Sequence, residues 1–208
     1  MNLKNYYYYF QSSLSPRICD AIVDYGKAHQ PERAITGGFN LDRNKEAYKN
    51  DGTLKKGALK NLQKKRKSDI VWMSDQWIYK EIHPFIHEAN EKSGWNFDWD
   101  FSESCQFTKY DVGQHYGWHC DSWDKPYDRP DDPNTHGKIR KLSVTVSLSD
   151  PSEYEGGNLE FFGHDFDEKS RERGTLILFP SYTWHRVTKL TKGDRKALVG
   201  WVHGPSFQ

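Results

Sequence analysis

Residues 142–149 read L-S-V-T-V-S-L-S. Leu142, Val144, Val146 and Leu148 alternate with Ser143, Thr145, Ser147 and Ser149, the period of two that a β-strand imposes by pointing successive side chains to opposite faces. A helix would scatter the four aliphatic residues around its circumference, so the stretch reads as a strand. Working outward, the same short pattern recurs. Phe101, Cys105 and Phe107 mark one strand, and residues 158–163, 174–180, 183–190 and 195–203 supply others, bounded by Gly- and Pro-containing turns. Residues 97–208 therefore read as a β core, and the chain as mainly β.

Residues 1–96 have a different character, that of a helical support region. Ser15-Pro16 opens a helical pattern running to about Lys27, with Ser15 as N-cap and Pro16 in the first turn. Ile18, Ile22 and Tyr25 share one face of it. Residues 74–92 form a second amphipathic pattern carrying His83 and His87, four apart, but no third ligand stands near them and no H-E-x-x-H pattern is completed. Between the helices, residues 34–67 are rich in Gly, Asn and Lys and read as a mobile insertion. Its end, T-L-K-K-G-A-L-K-N-L-Q-K-K-R-K, could clamp an acidic or nucleic-acid partner. No aromatic side chains are interleaved to stack on bases, which favours a solvated loop with some helix. A second long polar segment, residues 122–138, has the length of a functional lid.

The 208 residues suit a single domain, 1–208, and the 15% aromatic content compensates for a modest 35% apolar content. A formal net charge of +1 gives no global attraction to nucleic acid or anionic membrane. The start lacks an apolar signal region and no apolar run spans a bilayer, so the expectation is a soluble, cytoplasmic protein. Cys19, Cys105 and Cys120 are odd in number and widely spaced, as free thiols in a reducing compartment would be.

Y-G-W-H-C-D-S-W, residues 116–123, sets three metal-binding residue types side by side. Strand alternation puts His119 and Asp121 on one face and turns Cys120 outward as a small buried hydrophobe. A His and a carboxylate are two thirds of a facial triad for non-haem Fe(II). His185 is the candidate third ligand. It follows the apolar run T-L-I-L-F-P, where an unpaired buried imidazole would cost roughly 1–3 kcal/mol. Arg195 stands ten residues on. If Thr191-Lys192-Gly193 is a three-residue hairpin loop with Gly193 left-handed, His185, Arg195 and Trp201 line one cavity; a two- or four-residue loop would put Arg195 on the opposite side. An arginine there can bridge a carboxylate with two hydrogen bonds.

H-C-D, then His, then Arg resembles the Fe(II)- and 2-oxoglutarate-dependent oxygenases. The ordered strings Y-x-x-G-x-x-Y-x-x-H-x-D, P-S-E-Y-E-G-G-N-L-E-F and G-T-L-I-L-F-P-S-Y-T-W-H-R-V-T-K-L-T-K-G-D-R-K-A-L-V-G-W resemble the prolyl 4-hydroxylase branch, and within it the PKHD-type hydroxylases, over about residues 105–203. The resemblance implies a double-stranded β-helix, or jelly-roll, with helices outside. It implies Fe(II) on His119, Asp121 and His185, and 2-oxoglutarate held by Arg195 with Tyr110. Tyr116 and Trp201 would be pocket walls. O2 is the co-reactant, and ascorbate binding is a further family property. The implied reaction is hydroxylation of an unactivated C–H bond, with release of succinate and CO2. The implied substrate is peptidyl proline in a peptide or protein, with a free amino acid or other small molecule as the alternative, and a monomer is expected.

Two departures stand out: family members continue past the last strand into further helices, and this chain carries the basic insertion. AlkB-like nucleic-acid demethylases carry a second arginine six residues after the first, where this chain has Trp201. Halogenases need the position that Asp121 fills. A non-catalytic jelly-roll binding module would have no reason to keep every ligand.

Overall fold

The computed structural model describes residues 5–36, 44–122 and 125–207. Parts of the insertion (37–43) and of the long polar segment (123–124) lie outside the described residues. The strands are β1 (Tyr8–Phe10), β2 (Glu32–Arg33), β3 (Arg66–Lys67), β4 (Asp69–Met73), β5 (Phe101–Ser102), β6 (Cys105–Tyr110), β7 (His115–His119), β8 (Lys138–Ser147), β9 (Glu155–Gly156), β10 (Leu159–Phe161), β11 (Leu176–Pro180), β12 (His185–Val187), β13 (Leu190–Lys192) and β14 (Arg195–Pro205). Three helices accompany them: α1 (Pro16–Ala28), α2 (Lys56–Lys65) and α3 (Gln76–Lys92).

A large antiparallel sheet runs β1-β11-β8-β14-β6-β4-β2, with β5 added to β14, and a smaller one runs β10-β12-β7-β3. This is the expected jelly-roll arrangement of two sheets with helices packed outside. One face of the large sheet meets the helices. Leu142, Val144, Val146 and Leu148 pack there with Leu176, Leu178 and Leu198 against Ile22 of α1 and Ile78, Ile82 and Ile86 of α3. The other face meets the small sheet through Tyr110, Phe161, Ile177, Phe179 and Val187. Both faces of β8 are therefore buried, and its Ser143, Thr145 and Ser147 look into the space between the sheets rather than into water. That lining of hydroxyls positions the site.

The helix ends follow the local chemistry. Ser15 Oγ accepts from the Ile18 backbone N–H, satisfying one of the orphan donors of α1, and Pro16 sacrifices no hydrogen bond at the first position. His83 and His87 of α3 lie against Trp99, and His83 Nε2 pairs with Ser102 Oγ, so they serve packing. Among the described residues no helix is long and apolar enough to cross a membrane.

Three expectations change. The region before residue 97 is not only a helical support: β1 and β4 extend the large sheet and β3 closes the small one. The insertion 34–67 ends in regular structure. Leu62 of α2 is fully buried and β3 pairs with β7, while the lysines of α2 face water and conceal the pattern. Finally, residues 183–192 do not form a hairpin with the last strand. β12 lies in the small sheet, β13 pairs with β9, and β14 lies in the large sheet. Gly193 is left-handed, at φ +70, as the hairpin reading required. The chain nevertheless crosses between sheets, so His185 and Arg195 approach the cavity from opposite walls.

Candidate metal centre

His119 and His185 are register partners on β7 and β12. Direct partners of an antiparallel pair bring their Cβ atoms within about 4.5–5.5 Å, and here the ring centroids are 4.1 Å apart. In each ring Nδ1 sits on a carbonyl two residues earlier, that of Gly117 at 2.8 Å and that of Thr183 at 2.9 Å. A carbonyl only accepts, so Nδ1 carries the proton and the lone pair is left on Nε2. Both Nε2 atoms turn toward Asp121, at 3.6 Å from Oδ1 for His119 and 3.7 Å from Oδ2 for His185.

Those separations are too long for hydrogen bonds. Bonds of about 2.0–2.2 Å meeting at 90–110° put two donor atoms about 2.8–3.6 Å apart, and the observed separations stand at the upper edge of what one shared cation needs. The three ligand atoms all lie within 4.8 Å of one another. Burial, and then the neighbouring His185 ring, hold the His119 imidazole well below the usual histidine range, so it is neutral. Burial would raise the Asp121 carboxyl, but the two imidazoles facing it and the Arg140 guanidinium outweigh burial and hold it below the usual carboxylate range, at about 2. Two imidazoles with Nε2 turned inward and one carboxylate on one side of a cavity fit a divalent ion with open positions.

Asp121 does not reach this position by strand alternation. β7 stops at His119, and the backbone N–H groups of Asp121 and Ser122 both donate to the Ser181 carbonyl, at 2.8 and 2.9 Å. Ser143 Oγ donates to Asp121 Oδ2 at 2.8 Å and pairs with Ser181 Oγ at 2.9 Å. Cys120 points its Sγ at the Ser122 carbonyl and is half-buried, not the buried hydrophobe expected.

The triad opens onto a cavity of about 500 Å³ that also holds Tyr110, Tyr116, Arg195 and Trp201. Arg195 is the register partner of Tyr110, and its guanidinium lies 5.5 Å from that ring's centre. It is buried, and no carboxylate pairs with it among the described residues. Gly157 makes room for it: a Cβ there would stand 3.0 Å from Arg195 Cδ, and its φ is +63. Tyr116 stacks on His119 at 3.5 Å between centroids, and burial pushes its phenol up to about 12. The indole N–H of Trp201 is buried and has no hydrogen-bond partner among the described residues, yet it is near enough to help hold Asp121 ionised.

The structure adds residues the sequence reading missed. Arg140 grips Glu103 with two hydrogen bonds of 2.6 Å and lies 4.0 Å over the Trp201 ring. Arg66 lies 4.6 Å over the Tyr116 ring. Ser143 could have been read from the alternation of β8. Arg66 was hidden in a run of lysines.

Residues 105–203 match the 2OG-Fe(II) oxygenase superfamily. A PKHD-type hydroxylase of Pseudoalteromonas atlantica is 37% identical over 101 residues, covering 47% of this chain and 41% of that protein. The chain thus matches less than half the length of such relatives. Among solved structures, the fold is similar to a viral collagen prolyl hydroxylase from Paramecium Bursaria Chlorella virus-1, with a TM-score of 0.66 at 19% identity over 97% of both chains. A Trichoplax adhaerens prolyl hydroxylase, solved with a hypoxia inducible factor peptide fragment, gives a TM-score of 0.60 at 13% identity over 96% of this chain and 84% of that one. Residues 105–203, which contain the triad, Tyr110 and Arg195, are thus similar to the 2OG-Fe(II) oxygenase superfamily, and the chain has the fold of the prolyl hydroxylases.

Proposed function

We propose that this protein hydroxylates an unactivated C–H bond of a peptidyl residue, most naturally proline, with conversion of 2-oxoglutarate to succinate and CO2. The superfamily uses Fe(II), 2-oxoglutarate and O2. The observation that carries the reading is the coexistence, in one cavity, of the His119–Asp121–His185 triad and a buried arginine, Arg195, that no carboxylate among the described residues pairs with.

In this reading His119, Asp121 and His185 hold the iron, and the carbonyls behind the imidazoles keep both Nε2 atoms aimed at it. Bound iron supplies O2 activation and oxidative decarboxylation of the cosubstrate. Arg195 takes the far carboxylate of 2-oxoglutarate through a two-pronged contact, with the Tyr110 hydroxyl beside it. Phe161, Phe179 and Val187 keep water from that end of the cavity. Trp72, Tyr127 and Trp201 also line the cavity and offer flat apolar walls to a pyrrolidine ring. A peptide substrate is supported by the similarity of the fold to a collagen prolyl hydroxylase and to a prolyl hydroxylase solved with a peptide fragment. Both halves of the chain contribute to both sheets, which supports residues 1–208 acting as one domain, and we read it as a monomer.

Succinate release with Fe(II), measured against proline-containing peptides, free amino acids and methylated oligonucleotides, tests the reading. Stimulation by peptides is expected. Stimulation by oligonucleotides alone would overturn it, and stimulation by free amino acids alone would move the substrate to the small-molecule class.

A further inference from the structure

Seven charged side chains line the cavity: Glu32, Arg33, Arg66, Asp121, Arg129, Arg140 and Arg195. Glu32, Arg33 and Arg129 are exposed at the mouth, where water screens them. The buried ones can be matched in turn. Arg140 is neutralised by Glu103. On the reading above, the charges of a divalent ion, Asp121, Arg195 and the dianionic cosubstrate sum to zero. Arg66 is left over.

Arg66 is 7% exposed, and among the described residues no carboxylate pairs with it. Its Nε donates to Ser68 Oγ at 3.0 Å and its Nη1 to the Ile35 carbonyl at 3.4 Å. Nη2 has no partner among the described residues. A guanidinium cannot shed its proton to escape burial, so its charge needs an anion or costly residual solvation. Its position is fixed from both sides. β3 pairs Arg66 with Tyr116, and the guanidinium stacks on the Tyr116 ring, which stacks on His119. The free edge of a planar five-donor group is thus held one aromatic ring away from a proposed iron ligand. That geometry suits a carboxylate, which can accept two parallel N–H bonds.

We propose that Arg66 binds a carboxylate of the substrate and thereby selects anionic substrates. This rests on the oxygenase reading, which assigns Arg195 to the cosubstrate. The carboxylate is either that of an acidic residue beside the target proline or a free terminal carboxylate. One guanidinium serves both.

The test separates binding from turnover. Tryptophan fluorescence, reported by Trp72 and Trp201 in the cavity, is titrated without metal and with 2-oxoglutarate present. The probes are acetyl-Ala-Glu-Pro-Ala-amide against its Gln counterpart, acetyl-Ala-Pro-Glu-Ala-amide against its Gln counterpart, and acetyl-Ala-Pro with a free acid against its amide. The wild type is expected to bind the acid member of at least one pair about tenfold or more tightly, the scale of a hydrogen bond to a charged group. The pair that discriminates names the source of the carboxylate. Arg66→Gln should reduce that ratio to near one, and Arg66→Lys, which keeps the charge but not the fork, should leave an intermediate ratio. The Arg66→Lys protein and the wild-type ratio keep the test decisive if Arg66→Gln does not fold. Equal binding of acid and amide members by the wild type overturns the inference, as does discrimination that survives in Arg66→Gln. Weaker 2-oxoglutarate binding in Arg66→Gln with no peptide discrimination would place the guanidinium on the cosubstrate and also overturn it. Iron-dependent succinate formation by the wild type is measured separately. Its absence beside intact discrimination sinks the oxygenase reading alone, and its presence without discrimination sinks the role of Arg66 alone.

Discussion

His119 and His185 stand opposite each other on β7 and β12, and each anchors Nδ1 on the carbonyl two residues before it. One local device, used on two strands, turns both Nε2 lone pairs to the same point. Asp121 completes the set from a turn tied to Ser181.

Metal affinity should follow this arrangement. Asp121→Ala is expected to abolish tight Fe(II) binding in an anaerobic titration. Ser143→Ala, which removes the hydrogen bond to Oδ2, should weaken it about 10–100-fold. Cys120→Ser should stay within about twofold of wild type, because the thiol faces the Ser122 carbonyl. Equal losses in Cys120→Ser and Asp121→Ala would make the thiol a ligand.

Cosubstrate affinity should depend on Arg195. Its Gln variant is expected to raise the KM for 2-oxoglutarate about 10–100-fold, the loss of a charged hydrogen-bonded pair, and Tyr110→Phe should raise it less. An unchanged KM in the Gln variant would move the cosubstrate elsewhere in the cavity.

Gly193→Ala should destabilise the fold. The residue is left-handed, and an added Cβ would meet the Glu153 carbonyl oxygen at 2.0 Å. The backbone strain alone is about 1–3 kcal/mol. At about 2–4 °C per kcal/mol for a chain of this size, the melting temperature should fall by several degrees. An unchanged melting temperature would contradict the turn geometry.

Acid should unfold the protein partly through Glu103. Burial works to raise its carboxyl, but Arg140 and the hydrogen bond to His203 lower it to about 2 from an ordinary 4.5. A carboxylate depressed in the folded state adds stability that is complete above about pH 4.5 and is lost as the pH falls toward 2, on the order of 2–3 kcal/mol. Urea unfolding of the wild type between pH 6 and pH 3 should show this loss, and Glu103→Gln should flatten that slope. Parallel slopes would mean that the Arg140–Glu103–His203 group is not coupled to folding.

The β core was legible because L-S-V-T-V-S-L-S cannot be anything but a strand, and α1 because Ser15-Pro16 starts it chemically. The triad residues could be named because H-C-D offers a His and a carboxylate two apart, because a His after an apolar strand needs a partner, and because the ordered strings resemble one family. The crossing from β12 to β14 was not legible. A left-handed Gly193 serves a hairpin and a sheet change equally, and only long-range pairing of β12 with β7 decides between them. Arg66 escaped for a similar reason: within a basic run, nothing local separates the one buried cation from its solvated neighbours. Cys120 and Asp121 were sorted by alternation although the strand ends before them; the turn tied to Ser181, not the pleat, sets Asp121 beside the two imidazoles.

Succinate production from 2-oxoglutarate by the purified chain, followed with and without Fe(II) in air, tests the central claim most directly. Iron-dependent succinate from the wild type, absent in a folded His185→Ala variant, is the result expected. Succinate formation that persists in His185→Ala, or none from iron-loaded wild type with any substrate class, would contradict it.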